Sequence, residues 1–165
     1  MSTHRFSVTT RLTPTAALSL WADLDRITEW MTGVTRVSDV AGRPDRPDFT
    51  LPGASWPLVS SPGSRYTIWF GRRPVRIEVL FPAQPEEGTV YRTRLDGSLR
   101  RGESLVRFEP NSDGSRVTLE VRSEGLMPGI AGRLLAIGSY RGSFRGNLRS
   151  FARLAEREHW GQLVI

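Results

Sequence analysis

"PGIAGRLLAIGSYRGSFRGNLRSFARLAERE", residues 128–158, decides the fold, because a helix of that length must lie across whatever the rest of the chain builds. Ile130, Leu134, Ile137, Phe144, Leu148, Phe151 and Ala155 recur at spacings of three and four, the stripe of a one-sided helix. Opened by Pro128 or Gly129 and reaching about Glu158, it would run roughly 40 Å. Gly138, Gly142 and Gly146 fall at every fourth position, with Arg141, Arg145 and Arg149 each three residues further on. A glycine in a helix interior costs about 1 kcal/mol relative to alanine. Three readings account for the set: close approach of another helix or of a second subunit in a homodimer, room at a cavity edge that lets the helix yield to a ligand, or simple tolerance. Arg141 falls inside the apolar stripe, between Ile137 and Phe144. Either its stem packs and its head reaches the rim, or a buried guanidinium meets a ligand oxygen.

The helix needs a surface to cover, and residues 64–123 supply it. "SRYTIWF" turns at "GRRP" into "VRIEVLF"; "TVYRTRL" follows; "SLRRGESLVRFE" turns at "PNSDG" into "SRVTLEVRS". Five strands with short links make an antiparallel meander. Val75, Ile77, Val79 and Phe81 alternate with Arg76 and Glu78; Val117, Leu119 and Val121 alternate with Arg116, Thr118, Glu120 and Arg122. Charges of both signs on neighbouring strands belong on a solvated outer face, so the apolar sets face the helix. Val106 and Phe108 join them, as do Tyr66, Ile68 and Phe70, although the rival set Arg65, Thr67 and Trp69 is equally periodic. Tyr91 and Thr93 are the polar groups expected on that inner face.

Upstream, "HRFSVTTRL" sets Phe6, Val8, Thr10 and Leu12 against Arg5, Ser7, Thr9 and Arg11, a half-buried first strand. Thr13 as N-cap and Pro14 as first helical residue open a short helix. Asp23 could cap a second one carrying Ile27 and Trp30, and Gly33–Val40 reads as a strand. Residues 41–62 hold five prolines without periodicity, a connection long enough to be functional. Trp56 and Leu58 within it suggest a lid over residues 43–62 that dips toward a cavity mouth.

Bulk properties narrow the rest. The 165 residues fit one domain, 1–165, with a real core. Absence of cysteine excludes disulfides and thiolate metal sites. No stretch approaches 18 apolar residues and no apolar leader opens the chain, so a soluble cytoplasmic protein without integral membrane association is expected. The formal charge is +6 and all 23 basic residues are arginine, a usage associated with GC-rich bacterial genomes. The arginines are scattered, mostly beside acids, which argues against nucleic acid. His4 and His159 sit at the two ends of the chain, and no metal cluster, nucleophile elbow or dinucleotide fingerprint is present. No cofactor and no metal are expected.

The order of elements, with "WADLDRITEWMTGVTRVSDV" (21–40), "PGSRYTIWF" (62–70) and "PNSDGSRVTLEV" (110–121), resembles the START-like helix-grip, or SRPBCC, superfamily, and within it the polyketide cyclase/dehydrase and lipid-transport group. The sharpest piece is the first: a Trp, an acidic-Leu pair, a second Trp, then a glycine leading into strand two. The resemblance spans the chain and implies an α+β helix-grip fold, a seven-stranded curved antiparallel sheet wrapped around the C-terminal helix, with two short helices after strand 1. It implies a cavity for a hydrophobic or aromatic small molecule (polyketide-, lipid- or quinone-like), lined by Trp30, Tyr66, Ile68, Phe70, Ile77, Val79, Phe81, Val106, Phe108 and Leu119 and, from the helix, by Leu134, Ile137, Phe144 and Leu148. Chemistry there would be confinement and positioning. In a cyclase or dehydratase, Arg141 would steady an oxyanion and Tyr91 would donate or relay a proton. The alternative is a non-enzymatic carrier or accessory subunit acting through protein contacts. A carrier should show a wholly apolar lining, a cyclase at least two convergent polar groups.

Overall fold

A computed structural model describes residues 2–42, 44–45, 59–81, 89–97, 101–123 and 130–163, and within the last helix side chains from Phe144 onward. The order is β1 (Ser2–Thr10), α1 (Pro14–Ala22), α2 (Ile27–Trp30), β2 (Arg36–Ala41), β3 (Pro44–Asp45), β4 (Val59–Ser60), β5 (Arg65–Phe70), β6 (Arg73–Leu80), β7 (Thr89–Gly97), β8 (Arg101–Asn111), β9 (Gly114–Ser123) and α3 (Ile130–Leu163). Seven strands form one antiparallel sheet in the order β1-β9-β8-β7-β6-β5-β2. The meander from β5 to β9 is closed on one side by β1 and on the other by β2, so the chain's first strand pairs with its last.

Register separates the two faces. Arg5 pairs with Glu120, Glu120 with Leu105, and Leu105 with Arg92, while Phe6, Leu119 and Val106 pair one step away. The first row lies outward and carries ion pairs: Arg5–Glu120 at 2.9 Å, Arg122–Glu120 at 3.0 Å and Arg92–Glu103 at 2.9 Å. The second row is the concave face and holds the core, including Val106, Val117, Leu119 and Val121. Trp69 belongs to the outward row, its Nε1–H donating to Ser38 Oγ at 2.8 Å beneath the Arg36 guanidinium. Tyr66 and Ile68 are therefore the inward set, and both are buried.

Local chemistry sets the ends. Thr13 caps α1, its Oγ1 accepting from Ala16 N–H at 3.3 Å, and Pro14 opens the helix. Asp23 does not cap α2, whose N-cap is Arg26 with no side-chain bond. It is the C-cap residue of α1 instead, and its Oδ1 accepts from Asp25 N–H at 3.0 Å in the link to α2. The β5–β6 turn is Gly71–Arg72, tighter than expected, because Arg73 and Pro74 already pair in β6. Asp39, at φ 54, sits where the β2–β5 register slips between Ser38 and Ala41; Asp tolerates that region better than most residues. At Gly114, φ 152, an added Cβ would fall on the carbonyl oxygen of Thr10, so only glycine lets this turn pass the end of β1.

Three expectations shift. β2 starts at Arg36 rather than Gly33. The proline-rich connection is clipped at its base, Pro44 pairing with Ser60 and Asp45 with Val59. α3 reaches Leu163 rather than Glu158.

Candidate functional site

The concave face has two halves. In one, α1, α2 and the C-terminal half of α3 close on the sheet with aromatic rings. Trp21 stacks tilted on Trp30 at 4.3 Å, and Phe151 meets both edge-on, at 5.0 Å and 5.4 Å. Phe108 meets Trp21 from the sheet at 6.3 Å. Val106, Leu148 and Leu154 complete a filled interior. Arg26 locks the outside of this half, bonding Glu29 at 2.8 Å and Glu158 at 2.6 Å, and Thr32 N–H donates to the buried Asn147 Oδ1 at 2.8 Å. Trp30, expected as a cavity contact, is thus part of a plug. Its indole N–H is the only buried side-chain polar atom without a partner among the described residues.

In the other half the same face is looser. Phe6, Phe70 and Leu95 point inward yet are only partly buried. The end of β9 lies here, Ser123 pairing with Gly102, which pairs with Leu95. Phe144 stacks on Phe6 at 6.3 Å and marks where the two halves meet.

Between the halves lies a line of hydroxyls. Ser60 Oγ donates to the Ala22 carbonyl at 3.0 Å, Ser60 Oγ and Tyr91 Oη are 2.5 Å apart, and Tyr91 Oη and Tyr66 Oη are 3.2 Å apart. All three hydroxyl-bearing residues are buried. A second pair, Thr93 Oγ1 and Ser104 Oγ, stands at 2.6 Å across β7 and β8. Burial, above all, pushes both phenols above the usual tyrosine value of 10.0; the neighbouring Tyr91 raises Tyr66 further, while the bonds to Ser60 and Tyr66 partly offset the rise at Tyr91. Both therefore stay protonated at neutral pH.

The residues expected in the lining are distributed across these regions. Tyr66, Ile68, Ile77, Val79, Tyr91 and Leu119 are buried on the concave face, and Val106, Phe108 and Leu148 lie in the filled half. Phe81 is a correction: β6 ends at Leu80, and Phe81, just past it, is 71% exposed. Arg141, Leu134 and Ile137 lie in α3, but their side chains are outside the described residues, as are Trp56 and Leu58 altogether. Gly146 has open space where a Cβ would stand, so nothing packs closely there; Gly138 and Gly142 precede the described side chains.

Sequence reasoning missed Ser60 and Asn147. Ser60 sits in the proline-rich connection, where no periodicity tells inside from outside. Asn147 lies beside the apolar stripe, and only that position could have marked it. On the outer face, a groove of about 680 Å³ runs between Asp39, Glu78 and Asp96 and the arginines Arg65, Arg76 and Arg94. Its charges balance, so it offers no single-sign field. No cluster of His, Asp or Glu able to hold a metal occurs among the described residues, and none of their helices is long and apolar enough to cross a membrane.

A family model described as polyketide cyclase / dehydrase and lipid transport matches residues 1–156. The chain belongs to that family. No curated protein matches it. This polyketide cyclase/dehydrase and lipid-transport member is similar in fold to TTHA0849 from Thermus thermophilus, at 18% identity and TM-score 0.65, over 93% of this chain and 97% of that one. It is also similar to a Thermobifida fusca protein solved in solution, at 17% identity and TM-score 0.65, over 95% of each chain. A third likeness, to DynU16 from the dynemicin biosynthetic locus, has 15% identity and TM-score 0.57, over 93% of this chain and 46% of that one. At these identities the likeness is one of fold: the helix-grip sheet with its long C-terminal helix.

Proposed function

We propose that the protein binds a hydrophobic or aromatic small molecule, polyketide-, lipid- or quinone-like, between the looser half of the concave face and the first turns of α3, and positions it for cyclase/dehydrase-type chemistry. The observation that carries this reading is the contrast within one face. Trp21, Trp30, Phe108 and Phe151 fill one half, while Phe6, Phe70 and Leu95 in the other keep accessible apolar surface beside buried hydroxyls. Apolar surface that is only partly covered forgoes burial energy of about 25 cal/mol per Å², which a ligand would recover.

The convergent hydroxyls favour positioning over plain carriage. A carrier needs only apolar walls, whereas Tyr66, Thr93 and Ser104, with Tyr91 holding Tyr66, give a bound molecule fixed polar contacts. None of the four is a base at neutral pH, so the chemistry supported is holding a flexible chain in a reactive geometry. Arg141, one turn before Phe144 in α3, remains our candidate for a ligand oxyanion.

Titration of the protein with an aromatic ligand, followed by emission of the tryptophans beside the site, tests the reading. Saturable one-to-one binding is expected; a linear, unsaturable response would overturn it. Recovery of a linear poly-β-ketone unchanged after binding would favour the carrier, and its cyclised product the enzyme.

A further inference from the structure

The hydroxyl line has a direction. α1 ends at Ala22, whose carbonyl is one of the last-turn acceptors that a helix leaves without an internal partner. A carbonyl can only accept, and a hydroxyl has one proton to give. Ser60 spends its proton on Ala22. The 2.5 Å contact between Ser60 and Tyr91 must then be donated by Tyr91, and the 3.2 Å contact between the tyrosines by Tyr66. Every proton in the line points toward α1. Tyr66, the far end, has no proton left to offer and keeps unfilled acceptor capacity. Its strand position is opposite Ile77, which pairs with Leu95 of the looser half.

We infer that the site reads a hydrogen-bond donor on its ligand, a phenolic or enolic hydroxyl, through the oxygen of Tyr66, and not a bare ketone or ether. This rests on the ligand-binding reading above. It also changes the part played by Tyr91: its proton is committed to Ser60, so Tyr91 is a positioning residue that fixes the polarity of Tyr66. The Thr93–Ser104 pair shares one hydrogen bond between two protons. Its second proton serves an acceptor on the same molecule, so the test holds the ligand's acceptor constant.

Calorimetric titration of the whole chain at neutral pH with 2-naphthol and with 2-methoxynaphthalene makes the comparison, since both carry an oxygen acceptor and only the first a donor. The expected result is a naphthol preference of roughly five- to tenfold, the worth of one net hydrogen bond. Tyr66→Phe should abolish the preference. Ser60→Ala frees the Tyr91 proton to turn toward Tyr66, which makes Tyr66 a donor and should reverse the preference; this variant carries the test should Tyr66→Phe not fold. Equal affinities in the unaltered protein, or a preference surviving both substitutions, would overturn the inference while ligand binding stands. Failure of both molecules to bind would overturn the ligand-binding reading itself, and this inference with it.

Discussion

Tyr66 and Tyr91 are neutral because burial, more than any neighbour, disfavours their phenolates. Ultraviolet titration should therefore show both ionising above the ordinary value of 10.0, Tyr66 furthest from it. The sign follows: an unfolded phenol loses its proton near 10.0 and the folded ones later, so stability falls as pH rises from that value through the folded ones. Glu120 works the other way. The Arg5 guanidinium first, with Arg122, holds its carboxyl below the usual 4.5. Its contribution is complete above 4.5 and is lost as pH falls through the lowered folded value. Glu120→Gln should cost about 1 kcal/mol at pH 7, with the gap to the parent closing in denaturant melts at strongly acid pH. Tyr91 and Thr93 were legible as inward polar groups because alternation along β7 assigns each residue a face. Ser60 was not, since a two-residue strand carries no period.

Strands were the most legible elements and helix ends the least. A period of two over six or more residues, with opposite charges on the rival face, assigns a strand and its orientation at once. Alternation does not say where pairing stops, which is why Phe81 was placed with Val79 when β6 had already ended. Residue 23 illustrates the same limit for caps: aspartate is a good N-cap, but here it is the C-cap residue of α1, and its carboxylate accepts from Asp25 N–H in the link to α2. In α3, the spacing of Phe144, Leu148, Phe151 and Ala155 gave the buried stripe correctly. The glycines gave less. Gly146 has nothing within contact distance of an added Cβ, so Gly146→Ala should stabilise the protein by up to about 1 kcal/mol in thermal or chemical melts. A loss of stability would mean that another surface packs on the helix there.

At the scale of the molecule, the split between a filled and a looser half was hidden from the sequence. Trp30 and Phe70 look equally apolar in the chain, and only the packing of α1 and α2 separates them. Their energetics should differ accordingly. Phe151→Ala, deep among Trp21 and Trp30, should destabilise by about 3–5 kcal/mol. Leu95→Ala, partly accessible on the same face, should cost clearly less and weaken ligand affinity instead. The overall architecture was legible because element order is specific: one strand, two short helices, a meander and a long terminal helix leave few ways to bury both faces. Native mass spectrometry of the protein from its own host tests the central claim most directly. The account predicts one small apolar molecule per chain, released on denaturation. A bare chain that also takes up no aromatic ligand when one is offered in excess would contradict it.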